Sequence, residues 1–210
     1  MRDLQRRKPI VYIIEDDDDI RIDVSTVLEA NGYSTSCHAC GEDFFKHWNG
    51  TLCGCILLDM RLPGMSGLNV LNKLGEATRI LPVLLFTSVL DMQLAVQAAK
   101  SGVHDICPKP FSIEILLAKV EDAIKVNQSR QITHSDRLVT IQSLSQMTSR
   151  ERDVLDRLCG GKSSKQIGED LGISPNTVDN HRARIMMKLG AKSVSQVVQL
   201  TLNARRTIED

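Results

Sequence analysis

The first ~125 residues alternate between two hydrophobic periods, and few folds accommodate that alternation. "IVYII" (10–14), "CILLD" (55–59) and "LPVLLFT" (81–87) are short apolar runs, the mark of strands buried on both faces. "YSTSC" and "VHDIC" (103–107) read as weaker strands. Between the strands lie helical segments. "DIRIDVSTVLEANG" places Ile20, Ile22, Val24, Val27 and Leu28 on an apolar face and stops at Asn31-Gly32. "GEDFFKHWNG", "SGLNVLNKLGEAT", "DMQLAVQAAKSG" (91–102) and "SIEILLAKVEDAIKV" (112–126) repeat the pattern. Five strand–helix units predict an α/β parallel sheet covered by helices on both sides. Right-handed crossovers then favour the flavodoxin-like strand order 2-1-3-4-5, with ligands at the C-terminal ends of the strands.

From about Val126 the alternation fades. "NQSRQITHSDRLVTIQSLSQ" is polar with few regular apolar positions and reads as a linker with some helical character. Short helices follow. Thr148 or Ser149, Ser163 and Ser174 are the predicted N-caps, and Pro175 takes a first helical position. The predicted boundaries are an α/β domain over 1–127, a linker over 128–146 and a small all-α four-helix domain over 147–210. Charge follows the same division. Residues 1–125 hold 13 Lys and Arg against 17 Asp and Glu, and residues 126–210 hold 13 against 9, so the formal total of zero conceals −4 and +4. A basic second half suits nucleic acid.

No apolar run approaches a membrane span. The opening "MRDLQRRKPIVYII" is basic and then apolar, but its apolar part is short and five acids follow it, so a cytoplasmic protein without a membrane partner is expected. The six cysteines, Cys37, Cys40, Cys53, Cys55, Cys107 and Cys159, could suggest a metal or redox site at "CHAC" and "CGC". On the predicted sheet Cys37 lies near the end of one strand and Cys53 before the start of a parallel one, roughly 15 Å apart. Scattered core and loop positions are the simpler reading.

Glu15 and Asp16 end the first predicted strand and Asp59 ends the third, which is its neighbour in the sheet. Three converging carboxylates suit a hard divalent cation, Mg²⁺ or Mn²⁺, bound through oxygen. Asp17, Asp18 and Asp19 belong instead at the start of the following helix, where the dipole favours negative charge. Thr87 ends the fourth strand and Lys109 follows the fifth, adding a hydroxyl and an ammonium at the same edge. Such a set can stabilise a phosphoryl group on Asp59, with Asp59 as nucleophile and the cation and Lys109 neutralising phosphoryl oxygens.

"IIEDD", "LLDMRLPGMSG", "LFTS" and "PKPF", in this order and spacing, resemble the receiver domain of bacterial two-component response regulators across roughly residues 9–127. The resemblance implies Asp59 as phosphoacceptor, Asp16 as direct metal ligand, Glu15 as its acidic neighbour and the Arg61 backbone carbonyl as the remaining protein contact. It implies Thr87 as switch hydroxyl, Lys109 as phosphate-pairing lysine and a cis bond at Lys109-Pro110. Ile106 departs from the pattern, because an aromatic switch residue is usual three positions before the lysine. Aliphatic repacking would replace ring rotation there.

In the second half, a helix, a turn at Leu171-Gly172-Ile173 and a Ser-Pro-capped helix form a helix-turn-helix pattern. The segment from "TSRERDVL" through "GKSSKQIGEDLGISPNTVDNHRARIMMKLG" resembles the LuxR-type DNA-binding domain of the NarL/FixJ family. Met147 stands for the usual leucine and Gly168 for the usual alanine. Mid-helix glycine costs about 1 kcal/mol relative to alanine, so Gly168 is expected to weaken its helix. With Val178, Ile185 and Leu189 turned inward, Asn176, Asp179, Asn180 and Ala183 are the base-edge candidates. Lys162, Lys165, Thr177, His181, Arg182, Arg184 and Lys188 are the phosphate candidates.

Together the two resemblances imply a transcription regulator switched by a sensor histidine kinase. They imply a homodimer on phosphorylation, formed through the fourth predicted helix, fifth strand and fifth helix (roughly 91–126), on promoter double-stranded DNA. The only chemistry implied is phosphoryl transfer to the protein's own aspartate and its hydrolysis. A phosphatase-like or nucleotide enzyme is the rival reading. It lacks a GxxxxGK[ST] loop, and Arg61 stands where a second acid would be needed.

Overall fold

The computed structural model describes residues 8–88 and 102–205, with the Ser88 side chain excluded. The helix predicted over 91–102 therefore lies outside the described residues, apart from Gly102. The chain divides into two compact units, Met1–Ile132 and Thr133–Asp210.

In the first unit, five parallel strands, β1 (Ile10–Ile14), β2 (Ser34–His38), β3 (Gly54–Asp59), β4 (Val83–Ser88) and β5 (Asp105–Lys109), form one sheet in the order β2-β1-β3-β4-β5. Helices α1 (Asp18–Ala30), α2 (Gly41–His47) and α3 (Gly67–Leu74), the last continued by a 3₁₀ turn over Gly75–Arg79, connect the early strands. Alternation along each strand sorts the core into two layers. Val11, Ile13, Cys55, Leu57, Leu84, Phe86 and Cys107 face Val24 and Leu28 of α1. Tyr12, Ile14, Ile56, Leu58, Val83 and Leu85 face Phe44 of α2 and Val70, Leu71 and Leu74 of α3.

Two sequence expectations need correction here. The fifth strand starts and ends two residues later than predicted and runs through Pro108. Among the described residues β5 pairs only with β4, and proline, which supplies no N–H, is tolerated near the end of such an edge strand. The helix predicted to end at Val126 continues as α4 from Ile113 to Ser145, across most of the expected linker. Its polar residues have specific partners. Asn127, fully buried, donates to the carbonyls of Leu52 (2.7 Å) and Ile80 (2.8 Å) and accepts from Gly54 N–H (2.9 Å). Gln131 adds a second donor to Leu52 (2.8 Å), and Arg130 donates to Thr78 (3.3 Å).

In the second unit, α5 (Ser149–Cys159), α6 (Ser164–Leu171), α7 (Pro175–Leu189) and α8 (Val194–Arg205) pack around Met147, Val154, Leu155, Leu158, Ile167, Val178, Ile185 and Val197. Thr148 with Glu151 and Ser163 with Gln166 form capping boxes, and Ser174 caps α7 ahead of Pro175. Gly168 corrects the helix-propensity argument. A Cβ there would lie 2.6 Å from the Ile173 carbonyl oxygen, so the tight turn between α6 and α7 requires its absence. The Gly168 carbonyl closes that turn by accepting from Gly172 and Ile173.

Candidate functional site

Parallel pairing places the ends of β1, β3, β4 and β5 along one edge. Asp59 lies opposite Phe86 in register, with Thr87 next on β4 and Pro108 opposite Thr87. Glu15 and Asp16 follow the last residue of β1. Carboxylate oxygens of Glu15, Asp16 and Asp59 lie within 4.8 Å of one another. Glu15 is 1% exposed and Asp59 8%, while Asp16 faces solvent. Lys109, the last residue of β5, donates to Glu15 (2.6 Å) and Asp59 Oδ2 (3.1 Å). The other Asp59 oxygen accepts from Arg61 N–H at 3.3 Å. Thr87 is buried on β4. The Lys109-Pro110 bond is cis. Ile106 is part-buried and packs with the layer that contains Leu58 and Leu85.

Burial pushes the Glu15 carboxyl up, the Lys109 hydrogen bond draws it down, and Asp59 adds repulsion; the net direction is up. For Lys109, burial opposes the charge, but the Glu15 hydrogen bond and the nearby Asp59 charge outweigh it and its pKa rises. The pocket therefore holds a charged lysine among acids. Its all-oxygen donor set fits a hard divalent cation and not a softer metal.

The acid run divides as expected. Asp17 caps α1, accepting from Asp19 N–H (3.0 Å) and Ile20 N–H (3.1 Å), and Asp18 and Asp19 occupy the first turn. Two residues of this pocket escaped the sequence reading. Arg21 donates to the Glu15 carbonyl (2.8 Å) and pairs with Asp18, fixing the backbone that carries the ligands. A cation one turn into a helix that opens on acids was its signal. Gly67 is the second: a Cβ there would lie 2.5 Å from the Asp59 carbonyl oxygen, so α3 starts against the backbone of Asp59.

On α7, Asn176, Thr177, Asp179, Asn180, Ala183, Arg184 and Lys188 are exposed, and His181 and Arg182 are part-buried. Lys162 and Lys165 are exposed near α6. Several have protein partners. Asp179 accepts from Ser164 (2.7 Å) and Arg182 (3.1 Å). Lys162 pairs with Asp170 (2.6 Å). Lys188 pairs with the buried Glu151 (2.7 Å) and holds its carboxyl down at about 2. His181 Nδ1 is buried without a hydrogen-bond partner, so that edge of the ring faces the protein. Met187, 78% exposed, lies four residues after Ala183 and extends the stripe; its phase, off the buried Val178–Ile185 face, was the missed signal.

Residues 11–121 match the response regulator receiver domain, and residues 145–201 match the bacterial regulatory proteins of the luxR family. The chain belongs to the response regulators. This response regulator is similar to response regulator protein TodT of Pseudomonas putida, 31% identical over all of this chain and 92% of the relative. Transcriptional regulatory protein FixJ of Azorhizobium caulinodans is 34% identical over 92% of each chain. Among solved structures, response regulator StyR matches with a TM-score of 0.76 at 33% identity, covering 93% of this chain and 99% of that one. The response regulator thus joins a receiver to a LuxR-type DNA-binding domain and regulates transcription. A sensor histidine kinase and DNA are the partners this pairing implies, and receiver domains generally bind Mg²⁺ through acidic residues. Among the described residues, no helix is long and apolar enough to cross a membrane.

Proposed function

We propose that this response regulator is switched by phosphorylation of Asp59 and then binds promoter DNA as a dimer. The observation that carries the reading is the meeting of Glu15, Asp16, Asp59 and Lys109 at one sheet edge. Glu15, Asp16, Asp59 and the Arg61 carbonyl would hold Mg²⁺ or Mn²⁺. When bound, the cation supplies charge neutralisation for phosphoryl oxygens. The Asp59 carboxylate attacks the phosphorus of a kinase phosphohistidine; the new O–P bond forms as the N–P bond breaks, and the imidazole leaves with its electron pair. Lys109 pairs with a phosphoryl oxygen and Thr87 donates its hydroxyl to another. Ile106 follows by aliphatic repacking, and the change biases a two-state equilibrium toward a dimerising form. The proposed boundaries are a receiver over 1–127, a linking segment over 128–146 and a DNA-binding domain over 147–210. Part of the proposed dimer face, residues 91–101, lies outside the described residues.

On DNA, Asn176, Asn180 and Ala183 would meet base edges, with Asp179 and its Arg182 partner acting as a unit, while Lys165, Thr177, His181 and Arg184 would position the helix on phosphates. Lys162 and Lys188 would reach phosphate only by sharing their present carboxylate partners. Two copies would place two such helices on half-sites about 34–36 Å apart.

The deciding experiment is intact mass after incubation with acetyl phosphate and Mg²⁺, beside Asp59→Asn. A gain of one phosphoryl group that needs both Mg²⁺ and Asp59 supports the reading. Phosphorylation that persists in Asp59→Asn refutes the assignment of the acceptor.

A further inference from the structure

The segment that contains "CHAC" carries a second constellation, separate from the acidic pocket and independent of the proposed function. His38 is the last residue of β2, and Asp43 and His47 stand four residues apart on α2. That spacing puts the two helical side chains on one face. His38 Nδ1 lies 2.8 Å from Asp43 Oδ2, and His47 Nδ1 lies 3.1 Å from Asp43 Oδ1. One nitrogen from each histidine and one Asp43 oxygen fall within 4.8 Å of one another. The imidazoles stack at 6.1 Å with 25° between their planes.

We propose that His38, Asp43 and His47 form a binding site for a divalent transition metal ion of the zinc class. Two imidazoles and one carboxylate make a borderline-soft N₂O set, which suits Zn²⁺, Ni²⁺ or Cu²⁺ and discriminates against Mg²⁺. The set also has the orientation that ligands need before the metal arrives. His38 is 5% exposed, its ring is held edge-on against Phe44 (5.5 Å), and its Nε2 bonds Ser36 Oγ at 3.0 Å. Once the ion displaces the Nδ1 proton, a proton on Nε2 donated to Ser36 would fix the tautomer whose Nδ1 lone pair meets the metal, the usual outer-shell arrangement of a ligating histidine.

On the other side the site opens to water. The Asp43 and His47 side chains are 40% and 58% exposed, so an ion can enter and a water can complete four-coordination. Tetrahedral ligands at zinc distances stand about 3.3 Å apart, close to the two nitrogen–oxygen separations of 2.8 and 3.1 Å, and all three ligand atoms already lie within 4.8 Å of one another. Without metal, the same carboxylate holds the two imidazoles by hydrogen bonds, and His47 also contacts the Asp43 carbonyl at 2.9 Å. Binding exchanges imidazole protons for the ion.

The cysteines are not part of this set: among the described residues, the groups that bring three potential ligands together contain none. A backbone bond links the site to the acidic pocket, since Glu15 N–H donates to the His38 carbonyl at 3.1 Å.

The test uses the untagged full chain, stripped of metal, with Mg²⁺ in excess and titrated with Zn²⁺ by calorimetry. His47→Gln and Asp43→Asn alter exposed side chains, and circular dichroism establishes that both fold. A Cys37→Ser/Cys40→Ser/Cys53→Ser variant controls for thiols. Loss of an outer-shell partner alone costs about 10- to 100-fold in affinity, so each ligand variant should lose at least ~10-fold. The cysteine variant should bind one equivalent as tightly as wild type. Absence of a tight equivalent in folded wild type overturns the proposal. Wild-type affinity in both ligand variants, or loss confined to the cysteine variant, overturns it too.

Discussion

The Lys109 ammonium is closer to Glu15 (2.6 Å) than to Asp59 (3.1 Å), so the proposed phosphate-pairing lysine spends its stronger contact on the neighbour of the acceptor. Until a phosphoryl group draws it away, Lys109 occupies part of the space charge that a divalent cation would otherwise satisfy. Lys109→Met therefore separates two properties. Mg²⁺ affinity is expected to rise by several-fold, because the competing positive charge is gone. Phosphoryl transfer to Asp59 is expected to fall. Calorimetry with Mg²⁺ and intact mass with acetyl phosphate check the two halves, and parallel losses in both would contradict the competition.

The Glu151–Lys188 pair gives a pH prediction. The Lys188 hydrogen bond, aided by Thr148, holds the Glu151 carboxyl at about 2 against the opposing effect of burial. A depressed folded pKa contributes stability that is present above the unfolded value near 4.5 and is lost as pH falls through about 2. Carboxyl-carbon NMR of the full chain should show Glu151 still ionised at pH 4, whereas Lys188→Met should move its midpoint up. The same substitution should cost about 1–3 kcal/mol in unfolding experiments, since it leaves a buried carboxylate without its cation.

Salt dependence distinguishes that structural lysine from a phosphate contact. Lys165→Ala should reduce the slope of log affinity against log salt by about 1. Lys188→Met should weaken binding mainly through the fold and change the slope by well under 1, because Glu151 already shares its charge. Filter binding or fluorescence anisotropy across a salt series measures both.

Gly168→Ala should lower the melting temperature. Helix propensity alone predicts a gain of about 1 kcal/mol. The added methyl would meet the Ile173 carbonyl at 2.6 Å, and moving a backbone group that anchors the α6–α7 turn costs more than that gain. A rise in melting temperature, followed by circular dichroism, would show that the turn relaxes freely.

Asn127→Ala should destabilise the first unit by roughly 2–4 kcal/mol, because it leaves the Leu52 and Ile80 carbonyls and the Gly54 N–H with fewer partners. Trp48 reports on this region directly: its indole N–H donates to Thr51, beside Leu52. Denaturant titration followed by Trp48 fluorescence measures the loss.

Much of the sheet was legible because each central strand is apolar on both faces, and the caps at Asp17, Ser163 and Ser174 follow local rules. The meeting of Glu15, Asp16, Asp59 and Lys109 followed from strand order alone. The continuation of α4 was hidden because Asn127 and Gln131 look like linker polarity until their carbonyl partners, 47 to 79 residues away in sequence, are in place. The two-residue shift of β5 was hidden because Pro108 argues locally against a strand, and an edge strand tolerates it. Gly67 and Gly168 are required by distances of 2.5 and 2.6 Å to carbonyl oxygens, and no local pattern encodes a distance.

Among the described residues, β5 pairs with β4 alone, and Lys109 is its last residue. A strand fastened along a single seam has fewer backbone bonds to hold it than β1 and β3, which bring Glu15 and Asp59 and are clamped between neighbours. The anionic half of the pocket is thus an anvil and its cation is mounted on a spring. A pull on that cation is therefore expected to be taken up first at the β5 margin, ahead of the site that holds the acids.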